Sequence, residues 1–292
     1  MMEFQFHQPA SLAEAFDLLN TYGDDARIMA GGTGLVLQMK QRLAQPGHVI
    51  SLRRIPGLNN IEAAADYHGA MRIGALCTHW QVETSSLVQR QTPLLAQTYR
   101  HVATPRIRQM ATVGGGLVHG DPNQDPPPSL IVLDASAVIA SASGQRIVPV
   151  EKLFVDYFET DLQPGEILTS VLAPRAPEGA GTAYLKFLPR TADDYPTVSV
   201  AVVVTPGPRN VCRDVRIALG AVDVKPVRAA QAEDLLKGKP LTKANIQACA
   251  AAVPDLVEPL DDYRGSADYK REMAAVFTRR AITQALASVG KG

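Results

Sequence analysis

The residues best suited to chemistry lie in two glycine-centred segments, Ala30-Gly31-Gly32-Thr33-Gly34 and Thr112-Val113-Gly114-Gly115-Gly116. Glycine has no Cβ and tolerates positive φ, so such runs let a backbone approach a ligand closely. Successive N–H groups in them can form a concave nest for a phosphate or pyrophosphate. Thr33 and Thr112 add hydroxyl donors, whose alternative role is local backbone bonding in a turn. The spacing is neither GxGxxG nor the P-loop pattern, which disfavours the Rossmann and P-loop nucleotide sites. Asp125 follows in the proline-rich run Asp121–Pro128. A carboxylate there suits a ribose diol or an adenine amine, or a simple Asx turn. Residue types alone leave a cofactor cradle and plain turn chemistry both open.

The first segment reads as a strand–loop–helix unit. Arg27–Ala30 is a short buried strand and Val36 to Leu43 is helical, after a first helix that starts at a Ser11/Glu14 capping box. Strands are expected at Gly47–Leu52, Ile61–Ala65 and Met71–Ile73, the last two joined across Tyr67-His68-Gly69. Helices are expected from Thr78 and over Gln91–Arg100. The run Asp121–Pro128 should be ordered loop or extended backbone, because proline supplies no N–H to a helix interior or a central strand. Strands follow at Ala137–Ala142 and Ile147–Val150. A Pro-, Gly- and Ala-rich stretch from Ala173 to Thr182 marks the domain boundary. Beyond it, Ala183–Leu188, Val198–Thr205 and Val215–Leu219 read as strands, and Ala229–Leu236, Thr242–Ala252 and Asp268–Leu286 as helices. The second domain is a sheet with helices on one face.

The chain has 292 residues, zero formal net charge and an apolar fraction of 46%. That balance gives no footprint for nucleic acid or an anionic membrane. No apolar run reaches membrane-spanning length, and the amino terminus does not read as a signal peptide, so a cytoplasmic location is expected. Its three cysteines, Cys77, Cys212 and Cys249, are too few for a four-thiolate metal or iron–sulfur site within this chain.

Six ordered segments resemble the FAD-binding medium subunit of the molybdenum hydroxylases, a group that includes xanthine and carbon monoxide dehydrogenases. AGGTGLVLQMKQRL is similar to the family's first flavin loop, and IRQMATVGGGLVHGDPNQDPPPSLIVLDA to its second. DLQPGEIL resembles the segment that closes the flavin domain. AYLKFLPRTADDYPTVSVA, KPVRAAQAEDLLKGKPL and DYRGSADYKREMAAVFTRRA resemble three stretches of the carboxy-terminal domain. The resemblance implies an α+β fold: a two-part flavin domain of the vanillyl-alcohol oxidase/PCMH type over residues 1–175, then a smaller α+β domain over 176–292.

By the same resemblance, Ile28, Met29, Ala30, Gly31, Gly32, Thr33, Gly34 and Leu35 line the pyrophosphate and ribityl part of FAD. Thr112, Val113, Gly114, Gly115 and Gly116 hold it from the other side. Asp125 contacts the adenosine half. Val102 and Leu168 make apolar contacts, Lys186 approaches the flavin, and Tyr195 covers the isoalloxazine. Two positions depart from the family pattern: Gly116 stands where Asn is usual and Gly34 where Asp or Ser is common, so two polar side chains are missing.

The implied role is electron transfer. A large partner subunit carries the molybdenum–pterin cofactor, a small one carries two 2Fe–2S clusters, and this chain passes electrons through FAD to an external acceptor. The assembly is an αβγ unit, doubled to a heterohexamer, and no catalytic residue or metal ligand is expected here. The rival reading is a self-contained flavin reductase or oxidase on the same fold, for which His119 would be the acid or base. Neither glycine segment contains a His or Cys to form a covalent flavin link. Acid precipitation should therefore release all the flavin into the supernatant; yellow colour kept in the pellet would contradict this.

Overall fold

Ser11 starts the first helix as expected, its hydroxyl accepting the Glu14 N–H, and the helix runs Leu12–Tyr22. The reciprocal half of the box is shifted: the Glu14 carboxylate takes the N–H of Ala10. Thr78 and Gln81 make a complete box at the helix His79–Thr84. The computed structural model describes residues 3–64, 67, 69–188, 190–191 and 193–290. Ala65 and His68, in the strand and turn expected there, lie outside the described residues.

The amino-terminal lobe is a parallel sheet in which His48–Ser51 lies between Gln5–His7 and Ala26–Met29. Parallel pairing needs a crossover at each step. The helices Leu12–Tyr22 and Thr33–Lys40 provide them. The second lobe is an antiparallel sheet in the order Ile61–Ala64, Ala70–Gly74, Ile167–Ala173, Ser136–Ser141, Gly144–Pro149. Short helices between Ala70–Gly74 and Ser136–Ser141 cover it and carry the second glycine segment.

Two expectations change here. The run Asp121–Pro128 is not wholly loop, because a helix runs Pro126–Val132 with all three prolines in its first turn. First-turn N–H groups have no intrahelical acceptor, so proline costs nothing there and its fixed φ suits the helix. The stretch Gln91–Arg100 is split: one helix ends at Gln91 and another begins at Pro93.

The carboxy-terminal domain is an antiparallel sheet in the order Gly181–Phe187, Val198–Pro206, Cys212–Gly220, Val227–Arg228. Val198, Val200, Val202 and Val204 pack with residues of the helices Ala230–Leu236, Lys243–Ala251 and Ala267–Ser288. Ala201 and Val203 point the other way, into a core that also holds Tyr184, Leu130 and Leu133. The sheet is thus buried on both faces, which explains the unbroken apolar run from Val200 to Val204. The α+β expectation of a two-part domain followed by a smaller one holds.

The helix Pro126–Val132 is the wedge between the second lobe and the carboxy-terminal sheet, and Leu130 within it is fully buried. Leu130→Ala should cost about 2–5 kcal/mol, since the wedge is packed on both sides and cannot collapse into the cavity. Denaturant unfolding checks this; a loss below about 1 kcal/mol would show that the two domains do not share this core.

Candidate functional site

The strand Ala26–Met29 delivers the chain into the first glycine segment, and Gly32 turns it into the helix Thr33–Lys40. Gly32 sits at φ +76, in the left-handed region, so a side chain there is strained. No side chain caps this helix. Among the described residues, none accepts from the N–H groups of Gly32, Thr33, Gly34 or Leu35. Four free donors at a helix start, reinforced by the helix dipole, suit an anion. Every residue from Ile28 to Leu35 is half-buried, so this apolar loop borders an open surface instead of a closed core.

The second glycine segment differs in kind. It is the first turn of the helix Val113–His119, capped by Thr112, whose hydroxyl accepts from Gly115 N–H at 3.1 Å. The N–H of Val113 goes to Cys77 O, that of Gly114 to Ala75 O and that of Gly116 to Thr112 O. The backbone donors from Val113 to Gly116 are therefore spent within the protein. Its glycines supply space: a Cβ on Gly114 would lie 2.6 Å from Ala75 Cβ. The two segments also abut. A Cβ on Gly31 would overlap the Met110 carbonyl oxygen, and one on Gly115 would lie 3.4 Å from Ala30 Cβ. The first segment is thus a donor-bearing floor and the second a smooth wall beside it. His119 stands against Gly34, with its ring edge-on to Phe158.

Asp125 and Lys186 were assigned separate contacts to a cofactor, and here they meet each other. Lys186 Nζ donates to Asp125 Oδ2 and to the His101 carbonyl, both at 2.9 Å. Tyr184 donates its hydroxyl to Asp125 Oδ1. Both charged side chains are almost wholly buried, at 2% and 4% exposure. Burial pushes the Asp125 carboxyl up to about 6, while the Lys186 ammonium and the Tyr184 hydroxyl pull it down. The pair bridges the two domains. Tyr184 was missed in the sequence, although its spacing of two from Lys186 places both on one face of a strand.

Arg108 was also missed. It is buried, donates from Nε to Glu83 at 2.9 Å, and from Nη1 to the Val102 and Ala103 carbonyls. It thereby fixes the loop that presents the His101 carbonyl to Lys186. Val102 is half-buried against the main core, whereas Leu168 lies inside that core at 4% exposure. Tyr195 is 45% exposed, with the Arg264 guanidinium 5.5 Å from its ring centroid. Burial and the bond to Asp121 raise its phenol well above the usual value. All three cysteines are buried, and burial raises each thiol, Cys77 to about 11. They serve as packing groups.

The chain matches the sequence model described as "FAD binding domain in molybdopterin dehydrogenase" over residues 2–176. Residues 183–285 match the "CO dehydrogenase flavoprotein C-terminal domain". It is 37% identical over 284 residues to the carbon monoxide dehydrogenase medium chain of Hydrogenophaga pseudoflava, covering 97% of each. It is also 37% identical over 281 residues to the nicotine 6-hydroxylase medium subunit of Paenarthrobacter nicotinovorans, covering 96% of each. A solved structure of the Hydrogenophaga carbon monoxide dehydrogenase, lacking the Mo-pyranopterin moiety of its molybdenum cofactor, superposes with a TM-score of 0.94 at 37% identity over 99% of each chain.

The buried pair makes a coupling prediction. Lys186→Met or Asp125→Asn alone strands one polar or charged partner in the interior and should cost about 3–5 kcal/mol. The double variant should lose clearly less than the sum, because no buried charge is left over. Denaturation midpoints of the three variants decide it, and additive losses would rule out a latch between the domains.

Proposed function

Because the chain belongs to the family of FAD-binding subunits of molybdenum hydroxylases, an oxidoreductase family, we propose that it is the electron-transfer medium subunit of a heteromeric complex. It takes electrons from the 2Fe–2S clusters of a small partner subunit and hands them to an external acceptor. A large partner subunit carries the molybdenum–pterin cofactor and oxidises the substrate, and the assembly is a doubled heterotrimer. Among the described residues no helix is long and apolar enough to cross a membrane.

The observation that carries this reading is the set of free N–H groups from Gly32 to Leu35. They fit the pyrophosphate of FAD, with the Thr33 hydroxyl as a further donor. Ile28 to Gly31 run along the ribityl side, and the segment Thr112–Gly116 closes the groove without competing for the phosphates. Bound FAD supplies both one- and two-electron chemistry, which suits a junction between clusters and an external acceptor. The chain's own residues bind and orient it. The latch through Lys186, Asp125 and Tyr184 fixes the loop after the second segment, and Arg108 fixes the loop Val102–Ala103. Tyr195, exposed at the seam of the two domains, offers a flat face for the isoalloxazine at low entropy cost. Lys186 retains one donor beyond its two bonds for the approach to the flavin implied by the resemblance.

Purification of the native assembly tests this. It should yield partner chains carrying molybdenum and iron, with one FAD for each copy of this chain. Gly32→Val should leave the assembly intact and nearly empty of flavin, because the left-handed turn is lost. Full flavin occupancy in that variant would remove the first segment from the site. A chain that purifies alone and oxidises a reduced nicotinamide with an organic substrate would favour the self-contained reductase.

A further inference from the structure

Away from the glycine segments, the amino-terminal lobe carries a cluster of titratable rings that the electron-transfer reading leaves unused. His7 ends the strand Gln5–His7, and its Nε2 lies 2.9 Å from Nδ1 of His48, on the central strand His48–Ser51. Tyr22, at the end of the helix Leu12–Tyr22, stacks on the His48 ring, 3.6 Å between centroids and 12° between planes. Its centroid is also 5.2 Å from that of His7. The other ring nitrogen of His48, Nε2, lies 3.9 Å from Asp25 Oδ2, and the Gly47 N–H steadies Asp25 by donating to its Oδ1 at 2.8 Å. Among the described residues, Asp25 and Tyr22 are the titratable side chains in contact with the two rings.

The strand Gln5–His7 has little else to hold it. It is three residues long, lies at the edge of its sheet and pairs with His48–Ser51 alone. Gln5 and Phe6 are exposed, so His7 is its one side chain that packs into the lobe. A segment with so few buried contacts opens locally at low free-energy cost.

A hydrogen bond between two imidazoles needs one nitrogen with a proton and one without. It forms when both rings are neutral. It survives one added proton, which goes to His48 Nε2 facing Asp25 while Nδ1 donates to His7. The resulting cation is favoured by the Asp25 carboxylate and by the face of the Tyr22 ring. A second proton has to occupy the accepting nitrogen, and two cationic donors then confront each other 2.9 Å apart. The closed pair therefore takes up one proton and the separated rings take up two. By linkage the open strand gains population as pH falls below the ordinary imidazole pKa of about 6.5, at a limiting slope of about tenfold per pH unit.

We propose that His7 and His48 form a proton-operated clasp: the shared hydrogen bond closes the edge strand Gln5–His7 onto the lobe, and protonation of both rings releases it. The clasp stands on the fold alone and is independent of the FAD reading. Across His48–Ser51 it neighbours Ala26–Met29, the strand that leads into the first glycine segment.

Amide hydrogen exchange of the whole complex, corrected for the chemical exchange rate at each pH, tests the clasp. Protection of Gln5–His7 should fall at least about tenfold between about pH 7 and about pH 5, relative to Val200–Val204 in the carboxy-terminal sheet. His7→Gln and His48→Gln each leave a single titrating ring and should flatten this dependence, whatever they do to protection at pH 7. Protection of Gln5–His7 that stays level across this range in the wild-type complex would overturn the proposal. So would an undiminished pH dependence in either variant, because the second proton would then have no part in the release.

Discussion

A helix that begins without a cap sets the terms for this structure. Among the described residues, none accepts from the four N–H groups of Gly32 to Leu35. The left-handed turn at Gly32 that exposes them admits little besides glycine. An anion at that point satisfies the donors and meets the positive end of the helix dipole. The neighbouring wall is arranged so as not to compete: Thr112 caps its helix and the remaining donors of Val113–Gly116 are bonded to protein. One segment offers hydrogen bonds, and the other offers room for a ligand to reach them.

The second domain takes part in this arrangement through one polar contact set in an apolar interface. Lys186 and Tyr184 close on Asp125 from the far side of the loop that follows the wall. Taking two charges out of water costs several kcal/mol, and the pair is tolerable only because nearly every lone pair and proton finds a partner. Such a contact contributes little net stability. Its value is in position, since it allows a single placement of the loop Asp121–Asp125 relative to both domains.

Much of this was legible in the sequence. Hydrophobic periodicity places most of the strands and the three carboxy-terminal helices, though not Gln5–His7 or the central strand Ile167–Ala173, and the first glycine segment reads as strand, loop and helix before any coordinates. The ordered resemblance identifies the fold, which periodicity alone does not. The misses have physical causes. The prolines at 126–128 read as helix breakers, yet in a first turn they cost nothing. The second glycine segment looks like another nest, and only the bonding of its N–H groups shows that it is a wall. The contact between Asp125 and Lys186 went unread because a sequence does not show that two charges far apart in the chain will bury each other. Arg108, which ties Glu83 to the Val102 and Ala103 carbonyls, has no pattern of its own outside a familiar motif.

The central claim is that the uncapped start of the helix Thr33–Lys40 is where the cofactor phosphates bind. Amide hydrogen exchange of the intact complex, with and without FAD, addresses that claim residue by residue. The account predicts fast exchange from Gly32 to Leu35 in the flavin-free complex and strong protection once FAD is bound, with little change from Val113 to Gly116, whose donors are already bonded. Protection that appears at Val113–Gly116 while Gly32–Leu35 continues to exchange freely would contradict it.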